Sequence, residues 1–114
     1  MRIAVLGVGS IGGVLLGSLS DTDCELLAIS RGNSASNLSS MGLVLHSPEG
    51  PIEAIPPDRF ETFDSQSGPV SEGIANSCDV AFICGKADAT PVLAQIAEEI
   101  LKPEGIAISL QNGM

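Results

Sequence analysis

The sequence predicts an α/β protein, a single domain built on one doubly wound parallel sheet. Three observations carry this. Apolar strand patterns alternate with helical ones along the chain. The strand patterns at 3–6, 25–29, 78–84 and 106–110 are almost unbroken apolar runs, and a glycine-rich turn joins the first strand to the first helix. Such alternation sets successive strands parallel, and parallel strands covered on both faces read as continuous apolar runs. The chain has 114 residues, 44% of them hydrophobic, which suits one domain with a real core.

The first strand, Ile3 to Leu6, enters Gly7-Val8-Gly9-Ser10-Ile11-Gly12-Gly13, and an apolar helix follows. A second strand, Glu25 to Ile29, closes on Ser30-Arg31-Gly32. Residues Asn33 to Met41 suit a weak helix ending at Gly42. Leu43 to His46 and Ile52 to Ile55 read as two short strands around the turn Ser47-Pro48-Glu49-Gly50-Pro51, and Pro56-Pro57 end the pattern. Arg59 to Phe63 suit a short extended piece, and residues 64–77 a loop with one helical turn. Cys78 to Cys84 form the next strand. Asp88 or Thr90 can cap the following helix, with Pro91 in its first turn. Val92, Leu93, Ile96, Ala97, Ile100 and Leu101 form its apolar face, while Glu98 and Glu99 point outward. Lys102-Pro103-Glu104-Gly105 stop it before a last strand, Ile106 to Leu110.

A G-x-G-x-x-G stretch between a strand and a helix, with a second strand about twenty residues on, is a dinucleotide fingerprint of the Rossmann type. Gly7 permits the tight turn, Gly9 lets a pyrophosphate approach the backbone, and Gly12 lets the helix pack against the strand. The loop of Gly7, Val8, Gly9, Ser10, Ile11 and Gly12 therefore reads as a cofactor-binding turn. Backbone N–H groups of residues 9 to 13 face the phosphates, and the helix dipole favours their charge.

The end of the second strand selects the cofactor. An NAD site usually presents Asp or Glu there to the ribose 2′-hydroxyl. This chain presents Arg31, and a guanidinium pairs with a 2′-phosphate that a carboxylate would repel. The residues favour NADP(H); a solvated loop arginine is the bland alternative. Ligands of such sheets bind beyond the carboxyl ends of the strands. Lys86, after the strand at 79–84, and Asn112, after the last, are therefore further cofactor-side candidates. An ordinary strand-end lysine and a plain Asn-Gly turn are their alternatives.

Composition excludes several classes. The net charge is −9, with only five basic residues and no basic run, so nucleic acid is not an expected partner. Any phosphate must be held by local features rather than overall attraction. Residues 3–19 superficially resemble a signal peptide, but five glycines interrupt the run and no A-x-A site follows. No other segment approaches a membrane span, and a cytoplasmic location is the default expectation. Three cysteines without C-x-x-C spacing give neither a disulfide framework nor a metal site. Cys24 and Cys84 are expected to act as small buried hydrophobes, and His46 to have a surface or packing role.

On these residues the chain resembles the ketopantoate reductase (2-dehydropantoate 2-reductase) family. The resemblance runs through Arg2 to Gly13, Ser30-Arg31-Gly32, the turn Ser47-Pro48-Glu49-Gly50, Gly85-Lys86-Ala87 and Leu110-Gln111-Asn112-Gly113. Gly85 departs from it, standing where the family usually has a larger apolar residue. The resemblance implies NADPH-dependent reduction of ketopantoate to pantoate, a step towards pantothenate and coenzyme A. It implies that the glycine loop holds the pyrophosphate and Arg31 the 2′-phosphate. Lys86 would lie beside the cofactor, and Asn112 would touch both the nicotinamide end and the 2-keto acid substrate. The family's general acid is a lysine of a following helical domain, which also carries most substrate contacts.

The expectation is that residues 1–114 are the NADP-binding domain alone, without the helical catalytic domain, and with no catalytic residue of their own. Such a chain would bind cofactor without useful turnover. Alternatives are the cofactor domain of another hydroxy-acid or opine-type reductase, or a non-enzymatic NADP-sensing module. Apolar surface left uncovered near the last strand would favour self-association, for example as a homodimer.

Overall fold

The computed structural model describes residues 1–8, 10–45, 53–84 and 90–110. In chain order the elements are β1 (Arg2–Leu6), α1 (Ser10–Leu19), β2 (Glu25–Ser30), α2 (Asn33–Met41), β3 (Leu43–Leu45), β4 (Glu53–Ile55), a 3₁₀ turn at Pro57–Arg59, β5 (Glu61–Asp64), β6 (Cys78–Ile83), α3 (Thr90–Ile100) and β7 (Leu101–Ser109). Five strands form one parallel sheet in the order β5-β2-β1-β6-β7, and β3 and β4 form a separate antiparallel ribbon. The chain winds outward from β1 to β5, then returns to lay β6 on the other side of β1. The winding reverses between β1 and β6, where open α/β sheets place their ligands.

Side-chain alternation along the central strands explains why both faces need helices. Ile3 and Val5 of β1, with Leu26 and Ala28 of β2, pack against Leu16 of α1 and Leu38 of α2. Ala4 and Leu6, with Leu27 and Ile29, turn to the opposite face against Leu93, Ile96, Ala97 and Ile100 of α3. Full burial of each large side chain here, Leu16 and Leu27 among them, contributes about 1.5–3 kcal/mol. The sheet is thus doubly wound, in a Rossmann-like α/β fold.

Several boundaries differ from expectation. The piece expected at Arg59–Phe63 splits, with Arg59 ending the 3₁₀ turn and β5 joining the main sheet as an edge strand along β2. Arg59 instead closes the end of α1: its guanidinium donates to the carbonyl oxygens of Ser20, Cys24 and Thr22 at 3.0, 3.2 and 2.6 Å. Leu101 belongs to β7 rather than to the helix, and β7 begins five residues early, across an irregularity between Cys78 and Val80. Loop amides of Asn76 and Ser77 bond the Glu99 and Ile100 carbonyls, which stops α3 before Lys102. Val92 is 57% exposed, because it sits at the margin of the stripe that Leu93, Ile96, Ala97 and Ile100 define. Cys24 and Cys84 are only half-buried, whereas Cys78 is fully buried in the core. His46 lies outside the described residues. Ile106, Ile108 and Leu110 leave an apolar stretch exposed along β7.

The amino edge of the sheet is tied by charge. The Asp79 carboxylate accepts the Arg2 backbone N–H at 2.8 Å and Lys102 Nζ at 3.1 Å, linking the starts of β1, β6 and β7. These bonds, the backbone one first, hold its pKa below the ordinary carboxylate value. A lowered folded pKa stabilises the protein above the unfolded value and loses that contribution as pH falls through the folded one. Asp79→Asn should therefore lower Tm at neutral pH. The gap from wild type should narrow as pH falls below about 4, which thermal melts across pH would register.

Candidate functional site

At the carboxyl edge, Leu6 of β1 lies level with Ile29 of β2 and Ile83 of β6, and Ile83 lies level with Ser109 of β7. Backbone bonds carry this ladder one residue beyond each strand: Gly7 N–H to Ile29 O, Cys84 N–H to Leu6 O, and Leu110 N–H to Ile83 O, each 2.8 Å. The segments leaving β1, β2, β6 and β7 therefore start from one edge.

Gly7 has φ 84°, a conformation that favours glycine, so the chain reverses at once from β1 towards α1. Val8 is half-buried and packs on the α1 side of the sheet. Ser10, Ile11 and Gly12 begin α1, whose first-turn N–H groups have no intrahelical acceptors and whose first turn carries no acidic residue. A Cβ at Gly12 would stand 2.6 Å from the Gly7 carbonyl oxygen and 3.4 Å from Val5 Cγ1. The helix start is thus pressed against the strand end as closely as an absent side chain allows. Gly12→Ala should cost about 1–3 kcal/mol through this overpacking, read as a lower urea midpoint. Gly9, Lys86 and Asn112 lie outside the described residues.

Arg31 follows β2 immediately and is exposed. Its side chain makes no ion pair among the described residues. No carboxylate ends β2 itself, but the fold brings one alongside. Asp64, at the end of β5, lies level with Ser30, and its Oδ1 accepts the Gly32 N–H at 3.1 Å and the Gln66 N–H at 2.9 Å. Nothing near Arg31 in sequence signals Asp64, because strand pairing makes this contact across 32 residues.

Among the described residues, Cys84 is the one thiol at this edge and is not activated. Burial raises the Cys84 thiol pKa, which keeps it protonated, and no cluster of metal-ligating side chains occurs among the described residues. A shallow depression of about 690 Å³ lies at the opposite edge, among Arg2, Cys24, Glu25, Arg59 and Glu61. Both arginines there are engaged, Arg59 as the cap of α1 and Arg2 with Glu61 at 3.2 Å. No helix among the described residues is long and apolar enough to cross a membrane.

Residues 3–114 match the model of the family described as Ketopantoate reductase PanE/ApbA. The chain belongs to that family. It is 26% identical over 113 residues to the "Uncharacterized oxidoreductase YkpB" of Bacillus subtilis (strain 168), covering 99% of this chain and 34% of that protein. Its fold matches D-mandelate dehydrogenase, solved with NADH and anilino(oxo)acetate, at TM-score 0.80 and 18% identity, over 100% of this chain and 34% of that one. It matches a PanE/ApbA family ketopantoate reductase from Ralstonia eutropha JMP134 at TM-score 0.76 and 23% identity, over 99% and 35%. The chain spans about a third of the length of these relatives.

Proposed function

We propose that this chain is the NADP(H)-binding domain of a ketopantoate reductase-like oxidoreductase, and that the intact enzyme reduces 2-dehydropantoate to pantoate. The observation that carries the cofactor choice is Arg31, exposed at the end of β2, one strand away from the glycine turn and with no acid beside it on β2. The amides opening α1 take the pyrophosphate and the Arg31 guanidinium takes the 2′-phosphate. Gly9, Lys86 and Asn112 complete the cofactor side, with Asn112 also reaching the substrate. When bound, the nicotinamide supplies the hydride that reduces the ketone.

The proton for the resulting alkoxide comes from outside residues 1–114, in a helical domain that also holds the 2-keto acid. Without that acid, turnover falls by about 10²–10⁴-fold before lost substrate positioning is counted. The chain alone therefore binds cofactor and does not turn over usefully. The apolar β7 edge supports its self-association.

Calorimetric titration with NADPH and NADH in parallel tests this reading; with no Trp or Tyr, intrinsic fluorescence offers little signal. NADPH should bind the more tightly. Equal affinities would defeat the cofactor assignment.

A further inference from the structure

The peptide that leaves Arg31 is clamped at both of its polar atoms. Its carbonyl, Arg31 O, accepts the Ser34 N–H at 3.2 Å, and its N–H, that of Gly32, donates to Asp64 Oδ1 at 3.1 Å. The peptide entering Arg31 is held by the same segment, since Ser30 O accepts the Ser65 N–H at 2.8 Å. Gly32 itself adopts φ 58° and ψ −129°, a mirror-β conformation open to glycine but strained for other residues, and as one of several that glycine reaches it needs these bonds to single it out. Asp64 is in turn fixed locally, because Oδ1 also accepts the Gln66 N–H and its carbonyl oxygen accepts the Ser67 N–H and hydroxyl at 3.0 and 2.7 Å. A short edge strand thus sets the backbone from which the Arg31 side chain projects.

We infer that Asp64 is a positioning residue for cofactor choice: by bonding the Gly32 N–H it aims Arg31 at the 2′-phosphate of the dinucleotide. The inference rests on the NADP(H) reading above. It assigns Asp64 no contact with the cofactor. What matters is the hydrogen bond and not the charge, because a carboxylate near a 2′-phosphate repels it while an acceptor oxygen of any kind can hold the amide. A guanidinium left on an unclamped peptide must be ordered when the cofactor binds, and that ordering weakens selective binding.

The test is calorimetric titration of NADPH and NADH with the whole chain as wild type, Asp64→Ala, Asp64→Asn, Arg31→Ala and the Asp64→Ala/Arg31→Ala double variant. The ratio of the two affinities is the readout, since a general loss of stability weakens both cofactors alike. Asp64→Ala should lower the NADPH preference by up to about tenfold, the upper end of what one ordinary hydrogen bond is worth. Asp64→Asn, which keeps an acceptor oxygen, should retain it. In the Arg31→Ala background Asp64→Ala should leave the ratio unchanged. If alanine proves unstable, Asp64→Val removes the bond equally, since its side chain carries no acceptor. A wild-type preference that survives Asp64→Ala intact overturns this inference alone, as does an equal fall in the alanine and asparagine variants. Absence of any preference in the wild type overturns the cofactor reading and the inference with it.

Discussion

Arg31→Ala is expected to weaken NADPH binding by about ten- to hundredfold while NADH binding changes by less than about threefold. The asymmetry follows from where the charge acts. A 2′-phosphate paired with a guanidinium gains charge-assisted hydrogen bonds that a bare ribose does not offer. The chain as a whole carries a net charge of −9, so nothing else in its general field favours a phosphorylated ligand. Arg31→Lys should recover part of the loss, because an ammonium supplies the charge without the planar fork. The exposed position makes the effect salt-dependent, and the gap between the two cofactors should shrink as ionic strength rises. Parallel titrations at low and high salt would check all three outcomes.

The largest effect on folding is expected at Gly42, with Gly42→Ala destabilising the domain by about 3 kcal/mol or more. Gly42 ends α2 with φ 79° and ψ −159°, and its N–H bonds the Leu38 carbonyl at 3.0 Å. A side chain is strained in that conformation. There is also no room for one: a Cβ would run into the Ile55 carbonyl oxygen and approach Pro57 N to 2.9 Å. All the nearest atoms are backbone and cannot swing aside. The consequence reaches the site, because α2 carries the Arg31–Gly32 turn at its start and is anchored by buried Ala35 and Leu38. For a domain of this size the loss corresponds to a fall in Tm of roughly 10 °C or more. Differential scanning calorimetry of the variant would measure it.

The two strand–helix–strand units were legible in the sequence because their signals are local. A glycine turn with an apolar run on each side places β1, α1 and β2, and Pro91 with the stripe of Leu93, Ile96, Ala97 and Ile100 places α3. Gly42 as the end of α2 was likewise legible, since glycine is the residue that a reversal with positive φ selects. β5 was legible only in part, as an extended piece at Arg59–Phe63: its bounds and its place in the main sheet were not, because Glu61–Asp64 joins that sheet through the open edge that β2 offers. The start of β7 was hidden for a related reason: Lys102-Pro103-Glu104-Gly105 read as a helix stop, and their extended path depends on pairing with β6. At the candidate site, Gly7, Gly12 and Arg31 were proposed from adjacent residues. The Asp64–Gly32 hydrogen bond was not foreseen because its two ends lie a strand apart, and no spacing rule in one sequence reports that.

Backbone amide resonances of the chain, followed while NADP⁺ is added, test cofactor binding at the carboxyl edge most directly. Bound dinucleotide should shift the amides of Gly7, Val8, Gly12 and Arg31, with smaller changes at Gly32 and Asp64, and leave the opposite edge quiet. Shifts confined to the depression around Arg2, Cys24 and Phe60, or no saturable shifts at all, would contradict binding at the carboxyl edge.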